Sequence, residues 1–181
     1  MSKTVVVPDI RLFDDDKQEF VTIKGTTFKI QHSLVSLSKW EEKWHKPFLS
    51  KTQKTQEELI DYVRCMTITQ NVNPEIYNYL PASIMNEIIE YMNDPMTATT
   101  IKKNDNRPPN RQIITAEVIY GWMIGLNIPM EFQKWHLNKL MTLIEVVNEQ
   151  NAPSKKMGKN ATLAQNRSLN AARRAALHTK G

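Results

Sequence analysis

The sequence predicts a mainly α protein with a small N-terminal β-hairpin, an α+β chain whose helical domain is followed by a basic C-terminal helix or tail. Three observations carry that expectation. Apolar residues recur at steps of three and four over most of residues 33–151, whereas alternation of period two is confined to the first 30 residues. The excess positive charge lies entirely at the C-terminal end. Residues 152–181 hold Lys155, Lys156, Lys159, Arg167, Arg173, Arg174 and Lys180 and no acid, a charge of +7 in a chain whose net charge is +5, so residues 1–151 carry −2. The division predicted is a helical domain over 1–151 and a basic linker plus C-terminal helix over 152–181.

Taken in order, Val5–Val7 is a β-branched run stopped by Pro8, and Asp14-Asp15-Asp16 reads as a solvated turn, since the further spaced ligands of a calcium loop are missing. Residues 20–30 predict a hairpin. Phe20-Val21-Thr22-Ile23 and Thr26-Thr27-Phe28-Lys29-Ile30 flank Lys24-Gly25, and Gly25 is expected at positive φ in a tight turn. Two or three strands cannot stand alone, so they are expected to lie against helices. Ser38 with Glu41 fits a capping box, with Ser33 a competing start; Leu37, Trp40 and Trp44 then share a face, and Pro47 stops the helix near His45. Thr55 with Glu58 is a second capping box, opening a helix through Leu59, Ile60, Val63 and Met66. A short turn after Pro74 carries Ile76, Tyr77 and Leu80, and a helix from Pro81 or Ser83 runs through Ile84 and Ile88 to Asp94-Pro95. Residues 102–112 read as an exposed polar loop.

The longest apolar segment is 115–151. It predicts a helix of about three turns through Ile119, Trp122 and Leu126, a corner at Asn127, and a helix of about five turns over 129–148 with Pro129 in its first turn. Leu137, Leu140, Met141 and Ile144 form the main stripe of that second helix, but Trp135, Leu143 and Val146 lie off it. Apolar residues around so much of the circumference mean a helix either central in its own domain or shared with a partner. Trp122, Phe132, Trp135, Leu140 and Ile144 are the candidate partner-binding residues. After Pro153 the composition is that of a flexible linker, and Asn160 caps a last helix to about His178. Its alanine-rich face buries little.

Site chemistry is sparse. His32, His45, His136 and His178 are scattered without metal-ligand spacing, the five glycines form no phosphate-cradling loop, and no nucleophile elbow is present. Cys65, the single cysteine, has no adjacent His, which suits an incidental thiol in a reducing cytosol. No apolar run approaches the roughly 20 residues that cross a bilayer, and no secretory signal opens the chain. These features predict a non-enzymatic interaction protein with no catalytic residue, cofactor or metal and no membrane association. Methionine, nine times present, adapts to irregular partner surfaces.

Several stretches together carry a resemblance: HSLVSLSKWEEKWHKPFL, EELIDYVRCMTITQNVNP, MTATTIKK, ITAEVIYGWMIGLNIPMEFQKWHLNKLMTLIEVVNEQNAPSKKM and RSLNAARRAALHTKG. Their arrangement over residues 30–181 resembles the tail assembly chaperones of long-tailed bacteriophages. The resemblance implies a protein–protein interaction role in virion morphogenesis: binding the tape measure and tail tube proteins during tail assembly, in the cytoplasm of the infected bacterial host. It carries over no catalytic residue. The basic end also fits a second role, that of a virion structural protein contacting DNA or an acidic neighbouring subunit. Homo-oligomerisation is compatible with either.

Overall fold

The computed structural model describes residues 2–14, 18–101, 112–151 and 159–178. The predicted polar loop, the Asp15-Asp16 part of the predicted turn and the linker after Pro153 lie outside the described residues. The chain is mainly helical with a small antiparallel N-terminal ribbon, and it divides into two compact units, residues 1–149 and 150–181.

The ribbon corrects the predicted hairpin. Strand β1 (Lys3–Val7) pairs with β4 (Thr26–Ile30), and β2 (Ile10–Asp14) pairs with β3 (Glu19–Ile23), so the two strands flanking Gly25 do not pair with each other. The register runs on unbroken: Val7 faces Thr26 and, after two residues on each side, Ile10 faces Ile23. One long hairpin therefore bends where Pro8-Asp9 stands opposite Lys24-Gly25. Gly25 is not at positive φ. It serves close approach instead, because a Cβ there would lie 2.3 Å from the Val7 carbonyl oxygen and 2.6 Å from the Pro8 carbonyl carbon. Its N–H donates to Asp9 Oδ1 at 2.7 Å, which holds the bend. Reading the glycine as a turn residue mistook which property of glycine the chain uses.

Alternation then decides what the proximal half of the ribbon buries. Val5, Val7, Phe28 and Ile30 share one face and are all buried, while Thr4, Val6, Thr27 and Lys29 face out. Helix α1 (Leu34–Trp44) starts at the earlier of the two candidate serines. Ser33 caps Ser36 N–H, and Ser36 Oγ accepts from Ser33 N–H at 2.9 Å. Ser38 lies within the helix, and Glu41 is used elsewhere. His45 closes α1 in the left-handed region, φ 52°, two residues before Pro47. Helix α2 (Gln56–Met66) has the Thr55–Glu58 capping box the sequence predicts.

Trp40 is the bolt between these helices: buried, with its indole N–H donating to the Glu58 carbonyl at 2.8 Å. Glu41, also buried, joins three segments distant in sequence. Its carboxylate accepts from Phe48 N–H at 2.8 Å and from Ala116 N–H at 2.7 Å, thereby satisfying an orphan amide at the start of α4 (Ala116–Gly125). Burial raises the Glu41 pKa above the usual carboxylate range, against the lowering effect of those two amides.

A 3₁₀ turn (Pro74–Tyr79) and α3 (Ala82–Asn93) follow α2. Beyond α4 the predicted five-turn helix is corrected: Met130–Lys134 is a 3₁₀ turn, Trp135 is extended, and α5 begins only at Leu137 and runs to Asn151. The reason is tertiary. His136 bridges to Ser33, Leu137 N–H donates to the His32 carbonyl at 2.9 Å, and the Gln31 side chain donates to the Lys134 carbonyl. Those bonds tie the segment to the start of α1 in an extended geometry that overrides helical propensity. Leu137, Leu140 and Ile144 complete a core that also holds Leu34, Leu37, Tyr62, Met66, Ile76, Ile88, Ile119 and Met123.

The second unit contains α6 (Lys159–Leu177). From Thr162 to His178 every side chain is exposed.

Candidate functional site

The five predicted partner-binding residues separate into two groups. Leu140 and Ile144 are buried, 0% and 2% exposed, so of the two roles open to this helix they take the core one. Trp122, Phe132 and Trp135 are half-buried, Trp122 and Phe132 against that core. The Phe132 and Trp135 rings stack, with centroids 4.0 Å apart and 18° between planes, and the Lys139 ammonium stands 4.4 Å above Trp135. Tyr120 Oη donates to Gln133 Oε1 at 2.9 Å and so links α4 to the 3₁₀ turn beneath this ledge. Met130 on the same turn and Ile124 on α4 are exposed. Trp135, extended after the 3₁₀ turn, stacks on Phe132, three residues earlier.

Of the predicted basic residues, Arg167, Arg173 and Arg174 are exposed on α6; Lys159 is its first residue; Lys155, Lys156 and Lys180 lie outside the described residues. At helical spacing, Arg167, Asn170, Arg174 and His178 fall on one stripe, with Ala161, Leu169, Ala172 and Ala176 across the helix.

The structure brings together a group that sequence spacing hides. His32 and His136, 104 positions apart, are both buried with ring centroids 5.0 Å apart. Tyr62 Oη lies 2.7 Å from His32 Nδ1, Tyr91 Oη accepts from His32 N–H at 3.2 Å, and His136 Nε2 lies 3.0 Å from the Tyr91 carbonyl. His136 Nδ1 is buried without a hydrogen-bond partner. Burial, reinforced by the neighbouring His136, pushes the His32 pKa down to about 3, and burial lowers that of His136 as well. Two neutral imidazoles in so closed a place cement the starts of α1 and α5. His32 lies two residues before α1 and His136 one before α5, and no local signal in the sequence pairs them.

Cys65 is half-buried, and burial pushes its thiol up to about 11, away from thiolate chemistry at neutral pH. Lys43 and Trp44 Nε1 both bond Asp61, and Lys46 bonds Glu58, which with the Thr55 amide lowers the Glu58 pKa. These contacts brace α1 against α2. Among the described residues no three His, Cys, Asp or Glu side chains gather where they would hold a metal ion, and no helix is long and apolar enough to cross a membrane.

No protein-family model, no curated protein and no solved structure matches this chain.

Proposed function

We propose that the protein is a non-enzymatic tail assembly chaperone of a long-tailed bacteriophage, acting in the host cytoplasm by binding tape measure and tail tube proteins while the tail is built. The observation that carries this reading is the half-open ledge formed by the Phe132–Trp135 stack, on the 3₁₀ turn that the Tyr120–Gln133 bond ties to the helix bearing half-buried Trp122. Phe132 packs on the core, and Trp135 stacks on Phe132 while staying half exposed. Aromatic side chains anchored in this way provide large contact area at little entropic cost, which is what binding hot spots require. The resemblance of residues 30–181 to that family supplies the identity of the partners.

Co-expression with tape measure and tail tube proteins from the same tail-gene cluster, followed by affinity capture, tests the reading. Trp135→Ala is expected to reduce capture at least about tenfold, the loss of one hot spot, while keeping a cooperative melting transition. Undiminished capture by that variant would exclude the ledge, and absence of capture by the wild-type chain would exclude the chaperone role. The acid-free basic segment, with Arg167, Arg173 and Arg174 all exposed, favours a second reading, a virion structural protein contacting DNA or an acidic subunit. Recovery of the chain in purified virions distinguishes it.

A further inference from the structure

The proximal half of the ribbon has one guarded edge and one open edge. On the β4 side, Gln31 N–H donates to the Met66 carbonyl at 2.8 Å and Ile68 N–H to the Lys29 carbonyl at 2.9 Å, while Lys29 N–H donates to Thr69 Oγ1 at 2.8 Å. Both backbone groups of Lys29 thus point away from β1, so Thr4, directly opposite, stands in a non-hydrogen-bonded pair. Alternation puts Val6, opposite Thr27, in the same state. The N–H and C=O groups of Thr4 and Val6 are therefore aimed outward at the β1 edge. Among the described residues β1 has no strand partner but β4, and both residues are exposed, Val6 to 66%. The usual devices that blunt an edge are missing: Thr4-Val5-Val6-Val7 carries no charge, no proline and no bulge. The Lys3 ammonium is turned to the Glu87 carbonyl and carboxylate on α3, at 3.0 and 3.5 Å.

An open edge of this kind takes a strand, and β1 itself is a strand that fits. We propose that β1 pairs antiparallel with β1 of a second copy about a two-fold axis at Val5, making one four-stranded sheet in the order β4–β1–β1–β4. The register follows from which groups point outward. Val5 opposite Val5 sets Thr4 opposite Val6 of the second copy, and Val6 opposite its Thr4. Each of these two pairs exchanges two N–H···O bonds, so every outward group of both strands is satisfied. Side chains on each face stay in step: Val5 meets Val5, and exposed Val6 is flanked by Thr4 of the second copy, a pairing of β-branched residues. The contact is isologous and closes at two copies. Five residues a side is far below a standard interface, so association is weak and depends on concentration. The inference is independent of the chaperone reading, since it concerns another surface than the aromatic ledge.

Sedimentation and amide hydrogen exchange on the full-length protein, over a range of concentrations, test it. The mass should rise with concentration from the monomer's 21.0 kDa to twice that and no further. The Thr4 and Val6 amides, open to exchange in dilute solution, should become protected in step with it. Val6→Pro removes an outward donor without taking a bond from the β1–β4 ladder. It should therefore keep a cooperative melting transition yet weaken dimerisation at least about tenfold, since two of the cross-copy bonds are lost. A charge swap tests the register. Thr4→Lys/Val6→Lys sets like charges opposite each other in both cross-copy pairs, and so does Thr4→Glu/Val6→Glu, so each variant alone should stay monomeric. An equimolar mixture sets lysine against glutamate and should dimerise. Both positions are exposed, so neither change disturbs the core. Four results would each overturn the proposal: a wild-type chain monomeric at every concentration, protection of the two amides only when another protein is added, dimerisation that Val6→Pro leaves unchanged, or a mixture that stays monomeric.

Discussion

Helices α5 and α6 are close in length, 15 and 19 residues, and opposite in what holds them. In α5 Leu137, Leu140 and Ile144 are fully buried, and its start is fixed by hydrogen bonds to residues about 100 positions away. From Thr162 to His178 no side chain is buried, and most residues of α6 are alanine, arginine, leucine or asparagine. The first is a helix because the fold needs it there; the second is a helix because its residues favour one. Length and periodicity do not tell the two apart. The difference between them is where a substitution would be felt.

The largest expected effect therefore falls on α5. Leu140→Ala removes a fully buried side chain and should destabilise the 1–149 unit by about 2–5 kcal/mol, whereas Leu169→Ala on α6 should stay within about 0.5 kcal/mol. Urea unfolding of both variants checks the pair. Equal losses would mean that α6 is packed as α5 is.

A smaller loss is expected at the bend of the ribbon. Gly25→Ala puts a methyl group 2.3 Å from the Val7 carbonyl oxygen, which backbone on both strands must move to relieve. The cost should be about 1–3 kcal/mol, that of overpacking, and should appear as a lower denaturation midpoint. An unchanged midpoint would mean that the bend opens freely and that the proximal and distal halves of the ribbon are uncoupled.

These two sites also show how far the sequence could be read. Alternation identified the strands on either side of Gly25 but neither their pairing nor β2, because Gly25 fits a turn as well as a tight crossing, and only the continuous register tells them apart. Both serine starts for α1 were visible; burial of Glu41 under Phe48 and Ala116 amides, a bond across 75 residues, removes it from local capping and leaves Ser33. The helical stripe of Leu137, Leu140 and Ile144 was legible, but not the break at Trp135-His136. That break is imposed by residues 31–33. For the same reason Trp135 was found as an apolar outlier without its geometry, and the His32–His136 pair was not found at all. What was legible is what neighbours in sequence decide; what was missed is decided across the fold.

The histidine pair gives the next effect, conditional on pH. A group whose folded pKa lies below its unfolded value takes up a proton more readily when unfolded, so acid favours unfolding. For His32 the unfolded value is 6.5 and the folded one about 3. Its contribution is fully present above about pH 6.5 and declines as pH falls through that window, by at most about 1.4 kcal/mol per unit for one proton. His136 acts in the same direction. Between pH 7 and 5, above most carboxylate titrations, wild-type stability should fall, and His32→Gln, though less stable at pH 7, should show a flatter slope. Parallel slopes would show that His32 is protonated in the fold.

The smallest effect is an expected zero. Truncation after Ala152 removes α6 and all seven C-terminal cations but no buried side chain from the described residues, so residues 1–152 should melt where the full chain does. Far-UV circular dichroism should lose more helical signal than the melting temperature changes, since α6 contributes ellipticity without contributing packing. The same truncation separates the two functions proposed. If the basic segment serves protein partners, capture of tape measure or tube protein should weaken while retention on DNA is slight at any salt. If it serves DNA, the full chain should be retained at low salt, lose affinity steeply as salt is added, and lose it altogether on truncation, with tail-protein capture untouched. The absence of aromatic residues from 152–181 removes the stacking that single-stranded nucleic acid would use, which favours the protein partner. Strong, salt-sensitive DNA binding near physiological ionic strength, with capture unchanged, would reverse that preference. A truncated chain that melts several degrees lower would undo the contrast between α5 and α6 itself.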